Sequence, residues 1–359
     1  MTTRRDLLAG LGAAATLATL PATAGRRRPA LVAGTYAARG GAGVYPVEPT
    51  ATGWHVADPI AKLTDLSFGV SRGGKAYFVH ESPKGRLLAT DGAGGVLADR
   101  SSGGDDPCHV AIDRQGRMLA VANYSSGSVA LYPLDRNGIP GAPVVRQQAG
   151  TGPDKARQNG PHAHWVGFTA DGAMLHSVDL GADAVFAYEV RGAQLSQPRL
   201  AWRAPAGSGP RHLARHPRLP VAYVVTELAN TLVTLDTKRD GSFATRTTQS
   251  LLPPGYTGAS AAAHLAIDRA GRTLYASNRG HDSIAVFTLG SDGTPTLAQH
   301  IACGGHWPRF FLLLEEAGLL LVANERSGNV AVFRIGGDGR LTATSETLAI
   351  PGVVFLDRA

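Results

Sequence analysis

Short apolar runs broken by polar bends recur along this chain. Each begins with an apolar strand, passes through a turn, and continues into a second strand that ends on an Asn-like position. Six copies of the unit align with one another, the best being CHVAIDRQGRMLAVANYSSGSVALY from Cys108, HWVGFTADGAMLHSVDLGADAVFAY from His164 and RHLARHPRLPVAYVVTELANTLVTL from Arg211, with others near Asp65, Ala263 and Arg309. The Asn-like positions are His80, Asn123, Asp179, Thr226, Asn278 and Asn324, separated by 43, 56, 47, 52 and 46 residues. Such spacing suits four-stranded blades. A seventh unit is split between the ends, with LVAGTY from Leu31 and GVYPV from Gly43 at the start and GVVFLDRA from Gly352 at the finish. The pattern predicts an all-β, seven-bladed β-propeller of four-stranded antiparallel blades over residues 31–359, closed by N- and C-terminal strands that share one blade. Closure of that kind removes free sheet edges. An open solenoid is the rival for any periodic chain, but each unit here holds several short strands and no helix.

Composition agrees with this picture. The chain has 359 residues and 43% apolar content, enough for a large core, and its 45 Gly and 22 Pro are spread so as to punctuate short strands. The first residues differ: Thr3-Arg4-Arg5-Asp6-Leu7-Leu8, a modest apolar run from Ala9 to Leu20, then Ala22-Thr23-Ala24. This layout predicts a twin-arginine-type export signal over residues 1–24, cleaved after Ala24, followed by a basic linker over residues 25–30. The expected location is periplasmic or secreted. The apolar run is shorter than the roughly 20 residues a membrane span requires, so no stable membrane insertion is expected after cleavage.

A formal net charge of +7 is mild for this length, and the arginines are scattered without interleaved aromatics, which disfavours nucleic acid and leaves a small anionic ligand as the expected partner. The chain is expected to act as a monomer. Two cysteines, Cys108 and Cys303, are too few for a disulfide framework, although a single bridge stays open.

The positions eight before and eight after each turn residue flank the hairpin and, if the turn is tight, face each other at its open end. They give the pairs Asp65/Glu81, Cys108/Tyr124, His164/Leu180, Arg211/Glu227, Ala263/Arg279 and Arg309/Glu325. Any one pair reads as a cross-strand salt bridge or a solvated rim. Convergence argues for more, because His164, Arg211, Glu227 and Arg279 come from three consecutive blades: two guanidiniums bind an anion, and a His with a Glu exchanges protons. These four are the candidate catalytic residues, and His162, His109, His264, Arg309, Glu325 and Glu81 are candidate substrate contacts. His109, His212 and His264 also suit buried, hydrogen-bonded positions within the blades.

Other signals are weaker. His162 and His164 alternate as two metal ligands do, but no third ligand stands at metal spacing nearby, so no metal is expected. Gly69-Val70-Ser71-Arg72-Gly73 matches a nucleophile-elbow pattern inside a repeat hairpin rather than before a helix, and is read as accidental. No P-loop or dinucleotide fingerprint occurs, and no organic cofactor is expected. The polar segment from Ala149 to Pro161 is either a connector between blades or a flap over the site.

The stretches GPHAHWVGFTADG, GPRHLARHP with VVTEL, YASNRGHDSIAVF, and GHWPRFF with LLVANERSGNVAVF resemble the seven-bladed propeller lactonase family, which includes the propeller-type 6-phosphogluconolactonases and the carboxymuconate-lactonising enzymes. The resemblance covers about Leu31 to Leu356. It implies that the catalytic His is His164, the first Arg is Arg211, the Glu is Glu227 and the second Arg is Arg279. There are two departures. Where the family usually carries an acidic residue two places before His264, this chain has Ala262, and a phosphogluconolactone of central metabolism sits poorly with export. The expected activity is cofactor-independent hydrolysis of a sugar-derived or carboxylate lactone. The alternatives are a muconate-type cycloisomerase and a non-catalytic exported binding or scaffold propeller.

Overall fold

The computed structural model describes residues 28–60 and 63–359, and the expected export signal lies outside these residues. Seven antiparallel sheets follow one another around a central axis. Blade 1 combines the chain's last strand, Val353–Arg358, with Leu31–Thr35, Tyr45–Pro49 and Trp54–Val56. Its closing register sets Leu31 against Arg358 and Ala33 against Leu356. The innermost strands of blades 2 to 7 are Leu66–Arg72, Pro107–Ile112, Ala163–Phe168, Pro210–Arg215, Ala261–Ile267 and Pro308–Leu314. Blade 4 departs from four strands by pairing both Gln194–Leu195 and Arg199–Arg203 with its third strand.

Two repeated side-chain devices explain why this sequence closes. At the end of the second strand in blades 3, 6 and 7, the buried amides of Asn123, Asn278 and Asn324 donate to the carbonyls of Ser102, Leu251 and Cys303 at 3.1, 3.0 and 3.1 Å. Each of those carbonyls lies just after the outermost strand of the preceding blade, so the recurrent Asn staples the crossover between blades. Tyrosines on second strands reach the other way: Tyr77 Oη donates to Gly138 O and Tyr275 Oη to Gly339 O, both at 2.8 Å, in the following blade. Each buried bond of this kind contributes about 1 kcal/mol net and costs more if left unpaired. Both cysteines are free and buried, so the open question of a bridge is answered against one.

The facing pairs expected from the turn offsets hold only in blade 2, where Glu81 N donates to Asp65 O. In the other blades the residues opposite Tyr124, Leu180, Glu227, Arg279 and Glu325 are Asp106, His162, Gly209, Ala261 and Trp307. The cause is a β-bulge. Register slips at Cys108, His164, Arg211 and Arg309, and across Ala263 and His264, each inserting unpaired backbone into the innermost strand. Blade 2 carries the same slip at Ser67 but turns through only Gly73-Gly74, so its count from the turn comes out differently. A bulge re-aims the extra residue's side chain. Here it lines the channel with Ser67, Cys108, His164, Arg211, Ala263 and Arg309 in turn.

Candidate functional site

Glu227 is the centre of the blade 4 to 6 side of the channel. It follows the second strand of blade 5 and is buried with three guanidiniums around it: Arg279 Nη2 is 2.7 Å and Arg211 Nε 3.0 Å from Oε2, and Arg157 Nη2 is 2.6 Å from Oε1. The Arg211 Nε–H is not directed at the carboxylate and has no partner among the described residues. Burial pushes the Glu227 carboxyl up, but the pull of Arg279, Arg211, His164 and Arg157 holds it well below the usual carboxylate range. Three cations around one anion leave two positive charges without a local counter-charge among the described residues.

Backbone carbonyls fix two of these cations. Arg211 Nη1 donates to Ala263 O at 2.7 Å and lies 3.1 Å from His212 Nε2, while Arg279 donates to Ala261 O and Ala262 O at 3.3 and 3.0 Å. Ala262, where an acidic residue was expected from the family resemblance, thus serves through its main chain. Burial and the neighbouring Arg279 pull Arg211 down to about 9, still protonated at neutral pH. His164 is buried, with Nδ1 at 3.8 Å from Cys108 Sγ, and burial followed by Arg211 holds it well below the ordinary imidazole range, hence neutral. Cys108 is pushed up by burial, so its thiol stays protonated. His162 is half-buried and stacked on Tyr124 at 4.5 Å, with Nδ1 on Tyr124 O, which places it at the edge of this cluster rather than in it.

Arg309, Glu325 and Glu81 form a second cluster on the blade 7, 1 and 2 side. Arg309 Nη2 donates to Tyr36 Oη at 2.7 Å, and Tyr36 Oη donates to Glu81 Oε2 at 2.6 Å. Glu325 lies 3.9 Å from Arg309 Nη1 and 3.3 Å from Arg39 Nε. Burial lowers Arg309, but Tyr36, Glu81 and Glu325 outweigh it and raise the guanidinium above its ordinary value.

His109 and His264 sit one layer deeper. With His212, Phe68, Trp165 and Phe310 they make a plug of packed rings: His109 is 4.2 Å from Phe68 and 5.4 Å from His212, and His264 is 4.3 Å from Phe310. His212 Nδ1 lies 3.1 Å from His264 Nδ1. Arg211 donating to His212 Nε2 requires the proton on His212 Nδ1, which then donates to His264. Burial lowers all three, His264 to about 3, so the layer is neutral. The structure therefore separates these two histidines from the polar cluster they were grouped with. Among the described residues no group of three or more His, Cys, Asp and Glu is arranged to hold a metal ion.

Sequence reasoning missed Arg157, Tyr36, Arg39 and Trp307. Arg157 lies in the polar segment already singled out as a connector or flap, and its reach to Glu227 favours the latter. Tyr36 ends the LVAGTY stretch of the split seventh unit and Arg39 follows it, both outside the six aligned copies. Trp307 occupies the position held by Asp65, Asp106 and Gly209 in other blades, with φ of 69°, and its ring meets Arg279 at 5.5 Å and Arg326 at 3.4 Å.

Comparison with known proteins places this geometry in context. The family described as "Lactonase, 7-bladed beta-propeller" matches residues 30–357. The 6-phosphogluconolactonase of Bacillus subtilis (strain 168) is 34% identical over 342 residues, covering 89% of this chain and 95% of that protein. A Lactobacillus plantarum protein of solved structure superposes with a TM-score of 0.85 at 27% identity, covering 92% of this chain and 99% of its own. The periplasmic gluconolactonase of Pseudomonas aeruginosa superposes with a TM-score of 0.83 at 26% identity, covering 92% of this chain and 98% of its own.

Proposed function

This chain belongs to the seven-bladed β-propeller lactonase family, and from that premise we propose that it hydrolyses a sugar-derived or carboxylate lactone at the Glu227 cluster. The observation that carries this reading is the charge surplus around Glu227, held in a buried site by the contacts of Arg211 and Arg279 with main-chain carbonyls. A lactone carbonyl develops negative charge as water adds to it, and pre-oriented guanidiniums stabilise that charge by about 3 kcal/mol per well-placed donor.

Guanidiniums occupy both carboxylate oxygens of Glu227, so its role is to hold the arginines. His164, neutral and beside Arg211, accepts the proton of the attacking water. The new C–O bond forms to the lactone carbonyl carbon, the ring ester C–O bond breaks, and the proton passes to the departing ring oxygen. The product is an open-chain hydroxy acid. The 6-phosphogluconolactonase and gluconolactonase names among its relatives support this reaction class. Acid release from glucono-1,5-lactone and a panel of aldonolactones, measured above the spontaneous rate, tests it; silence across the panel rejects it.

The proposal extends to export of the chain by the twin-arginine route. It is supported by the leader pattern from Thr3 to Ala24 and by the periplasmic description of the Pseudomonas aeruginosa relative. Fractionation of cells producing the full chain tests it, and a cytoplasmic, uncleaved product would contradict it.

A further inference from the structure

Of the three guanidiniums on Glu227, Arg157 is held differently. Arg211 and Arg279 have side chains only 3% and 7% exposed and are tied to backbone carbonyls, whereas the Arg157 side chain is 41% exposed. Its hydrogen bonds are to Glu227 Oε1 at 2.6 Å and Tyr124 Oη at 3.5 Å, with no backbone carbonyl among them. If Arg157 turns away, Glu227 keeps both cations on Oε2, so the turn exchanges one charge-assisted bond and leaves the rest of the cluster intact.

The backbone beneath Arg157 is anchored on both sides. Gln158 is fully buried with Nε2 on Leu180 O at 2.9 Å, and its carbonyl accepts from Gly152 N at 3.0 Å. Arg157 N donates to Asp154 O at 3.1 Å, and Asn159 Oδ1 meets His162 Nε2 at 3.3 Å. A fixed stem therefore carries one long, half-exposed cation over a site where Arg211 and Arg279 against Glu227 already leave one surplus positive charge.

We propose that Arg157 is a specificity-determining residue: it leaves Glu227 Oε1 to pair with a second anionic group, carboxylate or phosphate, that the lactone carries away from its ring ester. A guanidinium suits either group because its planar fork pairs with both. The assignment rests on reading this channel as a lactone site, and it gives Arg157 the role of preferring lactones that bear such a group over those that do not.

The test uses open-chain product analogues, so that turnover is not needed to read it. Binding of gluconate, glucarate and 6-phosphogluconate to the full chain is measured by calorimetry for the wild type, Arg157→Gln and Arg157→Lys. In the wild type at least one of the two compounds with a second anion binds about tenfold tighter than gluconate, as a charge-assisted pair predicts. Which of them does so identifies the anion. In Arg157→Gln that advantage falls to about threefold or less, and Arg157→Lys retains part of it as a point charge. Equal binding of all three by the wild type, or an advantage that survives in Arg157→Gln, overturns the assignment. Hydrolysis of gluconolactone by the wild type is scored separately; its absence counts against the lactone reading, while the dianion preference reports on Arg157.

Discussion

The two sides of the channel are built around the same repeat positions, Arg211 with Glu227 and Arg309 with Glu325, yet close their charges differently. On the blade 4 to 6 side one carboxylate, Glu227, faces Arg157, Arg211 and Arg279, and the cluster ends with a positive surplus. On the blade 7, 1 and 2 side Arg309 and Arg39 face Glu81 and Glu325, and a tyrosine bridges Arg309 to Glu81, so the charges balance. A balanced cluster has no electrostatic need of a ligand and serves to join the first, second and last blades where the ring closes. A surplus on buried groups is unfavourable until an anion arrives. Reactivity is therefore assigned to one side and closure to the other.

The largest expected effect comes from inverting that balance. Glu227→Ala removes the only carboxylate among three guanidiniums and leaves Arg211 and Arg279 buried without compensation, which should cost about 3 to 5 kcal/mol. Urea unfolding at pH 7 measures this, and a loss below about 1 kcal/mol would show that the cluster is not electrostatically closed through Glu227.

Acid should weaken the fold next. His109, His164, His212 and His264 all titrate below the ordinary imidazole value when folded, with His264 near 3 and His176 near 4, because burial disfavours their charged forms. Their contribution is whole above about pH 6.5, the unfolded value, and drains as pH falls toward the folded values, by about 1.4 kcal/mol per pH unit for each proton taken up on unfolding. Asp179, raised to about 7 by burial, acts in the opposite sense and offsets one such proton between about pH 4 and 7. Unfolding free energy measured from pH 7 to 5 should fall with a net uptake of about two or more protons; a flat profile would mean that the ring layer under the site is not buried neutral.

The smallest effect belongs to the balanced side. Tyr36→Phe removes the bridge between Arg309 and Glu81 and should cost about 1 kcal/mol. If lactone turnover fell more than about tenfold, equivalent to 1.4 kcal/mol in the barrier, the division between a reactive and a closing side would be wrong.

Much of this was legible in the residue pattern because both devices that make the ring are periodic. The buried Asn recurs as a visible letter at three crossovers, and Glu81, Glu227, Arg279 and Glu325 stand at one offset from their turns. The bulge was not legible, because an extra residue in a strand leaves no compositional mark. Counting from the turn therefore paired Arg211 with Glu227, whose side chains do meet, but missed that the backbone residue opposite Glu227 is Gly209. Counting by one step did separate layers: His164 joins the polar mouth and His212 the ring plug beneath, as the buried reading of His109, His212 and His264 expects. Arg157 comes from a segment between blades and Tyr36 from the split seventh unit, so neither has a counterpart among the six aligned copies.

The central claim is that the guanidiniums on the surplus side stabilise the charge that develops on a lactone carbonyl. It is tested most directly by kcat/KM for glucono-1,5-lactone in the wild type and in folded Arg279→Ala. A fall of about 10² to 10³-fold is predicted from the loss of one oriented donor, and undiminished turnover in Arg279→Ala would contradict it.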